Sequence, residues 1–130
     1  MKAINFFVAA LTLACAPLAA SAHESVRSKQ YNACIDKPSN TTMSMIECTD
    51  AEFRRQDARL NKAYKTLMAD LTAPRKAKLQ ETQRLWIKYR NANCDFYNDP
   101  DGGSMARIAA NTCMLTETTD RASELEALHE

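Results

Sequence analysis

Apolar residues return along the chain at helical spacing, and three stripes stand out. Phe53, Asp57, Leu60, Tyr64, Leu67 and Leu71 alternate steps of four and three, a heptad-like seam with one charged member. Leu79, Gln83, Trp86, Arg90, Cys94 and Tyr97 repeat the spacing, and Ile108, Leu115, Thr118, Ala122 and Leu125 mark a third stripe. The first predicted helix starts at Thr41 or Ser44, where Ser44 and Glu47 have capping-box spacing, and runs to about Asp70. Pro74 suits the first turn of a second helix reaching Tyr97. Asn98 to Gly103 is a strong loop, after which Ser104 is placed to cap a third helix. Upstream, Ser25 to Asp36 reads as a short helical arm closed by the turn Pro38-Ser39-Asn40-Thr41. Short connections make the long helices antiparallel neighbours. The prediction is an all-α bundle of three long helices with a short N-terminal arm.

Composition narrows this further. The chain has two glycines, Gly102 and Gly103, and Val26 is its last valine. A multi-stranded sheet needs more turn and β-branched residues than that. At the N-terminus, Met1-Lys2, the apolar run Ile4–Leu13 and Ala20-Ser21-Ala22 read as a signal peptide over 1–22, cleaved after Ala22. Its apolar run is far shorter than the roughly 20 residues of a membrane span. The alternative makes Cys15 a lipid anchor, although Thr12 stands where such sites usually carry leucine. Either way residues 23–130 form one exported domain, periplasmic or secreted. Lysine plus arginine number 17 against 16 acids, and the leader removes Lys2. That balance argues against electrostatic capture of nucleic acid.

Four cysteines remain after the leader: Cys34, Cys48, Cys94 and Cys113, which reads as two disulfides in an exported chain. Antiparallel register selects the pairs. The first two long helices reverse near residue 75, so facing positions add to about 150; Tyr64 then faces Trp86, and Leu60 faces Arg90. Around the second reversal, near residue 101, Cys94 and Cys113 come close to facing, while Cys34 and Cys48 flank the Pro38–Thr42 turn. Cys48 and Cys94 would miss each other by roughly 12 Å along a helix, against the ~7 Å between α-carbons that a disulfide tolerates. The expected pairs are Cys34–Cys48 and Cys94–Cys113.

Asp57, Gln83 and Arg90 are polar residues at core-facing positions, with Asp57 and Arg90 within a turn of facing. A buried, catalytically tuned carboxylate is one reading; an internal ion pair that fixes helix register is the favoured one. On that reading Gln83 and Asn61 satisfy neighbouring polar groups, Trp86 is core, and loss of Arg90 costs about 3–5 kcal/mol. His23 and His129 lie at opposite ends of the mature chain. No nucleophile–histidine pair and no histidine metal site assemble, so neither enzyme activity nor a cofactor is expected. Asp99-Pro100-Asp101-Gly102 opens like a calcium loop, but Tyr97 and Ile108 occupy ligand positions of an EF-hand aligned on Gly102. From Asn91 to Ala106 there is no lysine or arginine, while Asp95, Asp99 and Asp101 are acidic: a contact surface for a basic partner, or a solvated loop. Arg55, Arg59 and Lys62 share one face of the first long helix, either solvated or open to an anionic envelope polymer.

Taken together, Thr41 through Cys48, Asp57-x-x-Leu60-Asn61-x-x-Tyr64, Gln83-x-x-Trp86-x-x-x-Arg90-x-x-x-Cys94, Gly102-Gly103-Ser104, and Cys113, Thr118, Arg121 and Leu125 resemble the LprI-type lysozyme-inhibitor domain. Ser44 departs from the acidic residue expected to complete a cap on Thr41. The resemblance implies a helical, disulfide-linked periplasmic or surface protein that binds and blocks a lysozyme, most naturally of the C type. Asp57, Asn61, Gln83, Trp86, Arg90, Thr118 and Arg121 then report architecture. The expected contact is the loop carrying Asp95, Asp99, Asp101, Gly102, Gly103 and Ser104: acids for a basic rim, and neutral groups for the catalytic carboxylates within it.

Overall fold

A computed structural model describes residues 26–129; the leader, Cys15, the cleavage site and His23 lie outside them. Four helices follow in order: α1 (Lys29–Ile35), α2 (Thr42–Asp70), α3 (Ala73–Phe96) and α4 (Gly103–Ala127). The protein is all-α among the described residues, and both expected disulfides are present. Cys34–Cys48 joins α1 to α2 with α-carbons 5.8 Å apart, and Cys94–Cys113 joins α3 to α4 at 5.4 Å.

Of the two starts offered for α2 the first is realised, while the Ser44–Glu47 box and the Ser104 cap are not. Thr41, not Ser44, is the N-cap of α2: its hydroxyl accepts from the Ser44 N–H, and Ser44 Oγ accepts from the Thr41 N–H at 2.8 Å. Serine thus replaces the acidic residue of the usual reciprocal cap, and Glu47 takes no part. Ser104 does not cap α4 either. The cap is Gly102, two residues earlier, and no side chain caps the helix. Gly103 has φ +61°, a left-handed conformation that glycine adopts without strain. A β-carbon on Gly102 would come within 2.7 Å of the Ala106 β-carbon.

The helices reverse direction as predicted, but their packing is unequal. The closest pairing is between α2 and α4, which run parallel: Arg59 reaches Ser123 and Glu126, and Asp70 meets His129 at 2.8 Å. Between them lies the main apolar cluster of Leu60, Ala63, Leu67, Ala122 and Leu125. The backbones of α2 and α3 scarcely approach, although two residues connect them. Their contact is through side chains, with Tyr64, Leu71, Leu79 and Trp86 packed on the edge of the cluster.

The predicted α2 seam is therefore the face toward α3, where Phe53, Asp57, Tyr64 and Leu71 are only half-buried. The more deeply buried stripe shares Leu60 and Leu67 with that seam and adds Cys48, Thr49, Glu52, Gln56 and Ala63. Polar and small residues disguise it in the sequence. Tyr97, placed in the α3 seam by spacing, is exposed because the helix ends one residue before it.

Candidate functional site

The arm is seated by a carboxylate that periodicity did not single out. Glu52 is fully buried, and its oxygens accept from the Ser28 N–H (2.8 Å), Ser28 Oγ (2.5 Å), Gln56 Nε2 (2.8 Å) and Arg55 Nε (2.7 Å). Burial pushes its pKa up, but the hydrogen bonds from Ser28, Gln56 and Arg55 outweigh that and hold it down at about 2. A carboxylate locked in this way is ionised and fully occupied, so it is suited to anchoring rather than proton transfer. Gln56 also donates to the Val26 carbonyl, and Arg27 extends the arm to Thr116 on α4.

Between α2 and α3 a groove of about 280 Å³ gathers much of the polar seam, including Asp57, Asn61, Gln83, Trp86 and Arg90. The expected Asp57–Arg90 ion pair does not form: among the described residues no salt bridge of 4.0 Å or less joins them. Asp57 instead accepts from Asn61 Nδ2 at 2.9 Å. Arg90 lies over the Trp86 ring at 5.0 Å and the Phe53 ring at 5.8 Å, and donates to Thr118 Oγ1 at 3.1 Å. Desolvation lowers its pKa, and the nearby negative charge of Asp57 partly opposes this. Arg121 is buried, donating to Gln83 Oε1 at 3.0 Å and to Glu124 at 2.7 Å. Its guanidinium lies 5.9 Å from the centroid of the same Trp86 ring. Asn61 is exposed, and Gln83 and Thr118 are buried. The Arg90–Thr118 and Gln83–Arg121 bonds tie α3 to α4.

At the far end of α3, Asp95, Asp99, Asp101, Gly102, Gly103 and Ser104 are all exposed. Asp99 organises the turn: its Oδ1 accepts from the Asp101 N–H at 2.9 Å and its carbonyl from the Gly102 N–H at 3.0 Å. Exposed apolar side chains accompany the acids, a feature that charge counting overlooked. Met105 is 69% exposed, and with Tyr97 and Ile108 it lines a shallow groove of about 510 Å³ on the α4 side. The Cys94–Cys113 disulfide closes the base of this tip.

The basic face of α2 is mostly internally neutralised. Arg55 pairs with Glu52, Arg59 forms an ion pair with Glu126, and Arg54 pairs with Asp50 at 2.6 Å. Among the described residues no group of three or more histidine, cysteine or acidic side chains is placed to hold a metal. No described helix is long and apolar enough to cross a membrane.

Comparison with known proteins decides the family. The model of the family described as "Lysozyme inhibitor LprI" matches residues 34–125, most of the chain. The chain belongs to the LprI lysozyme inhibitor family. It is also 31% identical over 102 residues to an uncharacterized protein of Rhizobium meliloti (strain 1021), an alignment covering 68% of this chain and 73% of that protein. No solved structure matches it. The family match spans both disulfides, from Cys34 through Cys113.

Proposed function

We propose that this protein is an exported, non-enzymatic inhibitor that occludes the cleft of a C-type lysozyme with the α3–α4 tip. Family membership supports the partner class. The observation that carries the choice of surface is the pairing of exposed Tyr97 and Met105 with Asp95, Asp99 and Asp101 on a turn closed by a disulfide. Aromatic and methionine side chains are enriched in protein interfaces, and acidic neighbours steer association with a basic target. At the centre of the cleft, two catalytic carboxylates repel an acid but accept hydrogen bonds. Gly102, Gly103 and Ser104 carry no charge, and the uncapped start of α4 leaves backbone N–H groups free to donate. The disulfide reduces the ordering cost of binding by holding the tip in shape beforehand.

A peptidoglycan clearing assay with C-type lysozyme tests the proposal. Added protein should suppress clearing and should produce none by itself. Unaltered clearing would remove the inhibitor reading, and clearing by the protein alone would make it a cell-wall enzyme. If inhibition is present, Asp99→Asn with Asp101→Asn should slow association and flatten its salt dependence. Tyr97→Ala or Met105→Ala should speed dissociation about tenfold or more. Potency unchanged in all of these folded variants would rule out the tip as the contact.

A further inference from the structure

The outward face of α3 carries a second apolar stripe, separate from the residues that hold the helix to α4. Leu85, Tyr89, Ala92 and Phe96 are spaced four, three and four, so they fall along one side of the helix. Leu85 and Tyr89 are each 56% exposed, Phe96 is 83% exposed, and Ala92 is exposed as well. Gln83, Arg90 and Cys94 lie on the opposite side, where they bond to α4. Apolar side chains gathered along one exposed helix face and rimmed by polar ones suit contact with another molecule.

The stripe matches itself. Laid antiparallel on a second copy, Leu85 meets Phe96 and Tyr89 meets Ala92, the second pair setting large against small. Lys88 and Asp95 flank the stripe on the same side, both are exposed, and neither joins an ion pair among the described residues. In an antiparallel pair like flanks meet. Lys88 of each copy then lies within a turn of Asp95 of the other, twice by symmetry. A parallel pairing in register would instead bring unlike flanks together and leave Lys88 and Asp95 without each other. We infer that α3 mediates a two-fold symmetric, antiparallel homodimer through Leu85, Tyr89, Ala92 and Phe96. The stripe adjoins the tip: the Phe96 and Tyr97 rings meet edge to face at 5.9 Å, and Asp95 belongs to both surfaces. The inference does not depend on the lysozyme reading. Two helices meeting over about three turns bury less than the ~1,200 Å² of a standard interface, so the dimer is a weak one.

Sedimentation equilibrium on the oxidised protein, from about 1 to about 500 μM, tests this. The weight-average mass should rise from one chain toward two. Leu85→Glu with Tyr89→Glu should leave a monomer throughout, with helix content unchanged by circular dichroism. Lys88→Glu should weaken association about tenfold, and adding Asp95→Lys should restore it. A monomer at every concentration would overturn the inference, as would a dimer indifferent to the double glutamate change. Failure of the charge swap to restore association would overturn the antiparallel register.

Discussion

The α2–α4 pair and the attachment of α3 solve the same packing problem in different ways. Where α2 meets α4, Leu60, Ala63, Leu67, Ala122 and Leu125 form a closed apolar cluster, with Leu115 fully buried nearby. The buried residues of α3 are Gln83 and Cys94 alone. Its ties to α4 are Gln83 with Arg121, Arg90 with Thr118, Asn93 with Glu117 at 3.3 Å, and the disulfide. Burying a leucine stabilises by about 1.5–3 kcal/mol, whereas a hydrogen bond contributes a net of about 0.5–1.5 kcal/mol. Stability therefore resides mainly between α2 and α4, while the bonds of α3 set its register and direction. A helix held by a few directional bonds and a cross-link keeps its apolar side chains free to meet other molecules.

Breaking the α2–α4 side should have the largest effect. Leu125→Ala removes a fully buried side chain and should cost about 3–5 kcal/mol, read as a lower denaturant midpoint for the whole helix signal. Replacing Cys94 and Cys113 with alanine opens a cross-link spanning 19 residues and should cost about 3 kcal/mol. In that variant the fluorescence of Trp86, the chain's one tryptophan, should change at lower denaturant than the circular dichroism, because α3 detaches first. Coincident transitions would mean that α3 is more tightly integrated than its contacts indicate.

The arm gives a pH-dependent comparison. The pKa of Glu52 is depressed to about 2 from an ordinary 4.5, so its stabilising effect is complete above about pH 4.5 and is lost as pH falls toward 2. The difference corresponds to about 3 kcal/mol, and Glu52→Gln should flatten acid unfolding across that window. The smallest effect belongs to Arg90. With Asp57 bonded to Asn61 and half-exposed, Arg90→Ala strands no buried carboxylate. It should cost about 1–2 kcal/mol, from the lost contact with Trp86 and the lost bond to Thr118, well below the 3–5 kcal/mol that a buried ion pair implies. A thermal melt of the variant distinguishes the two values.

The helices and the disulfides were legible in the sequence because spacing and chain reversal are geometric and survive without tertiary detail. The choice of which α2 face is buried most deeply was not. Hydrophobic spacing points to Phe53, Leu60, Tyr64, Leu67 and Leu71, of which Leu60 and Leu67 are buried and the larger rest only half covered. The face against α4 and the arm is built from Thr49, Glu52, Gln56 and Ala63, whose burial depends on partners far away in the chain. Ser28 is what makes Glu52 a tolerable interior residue, and no local pattern announces a bond across 24 positions. At the tip the acids were legible from composition. Tyr97 escaped notice because helical periodicity placed it in the α3 seam, and Met105 because it fell in no apolar stripe.

The parallel run of α2 beside α4 also makes the core of this chain a long-range one. Arg59 and Ser123, 64 positions apart, stand side by side, and Leu60 shares its cluster with Leu125. Hairpins close quickly because their ends are near in sequence; this core closes only after a long loop does, which slows folding relative to bundles of local contacts. Nothing N-terminal to Ala122 can complete the cluster, so the chain stays without its main core until its final turns of helix have been made.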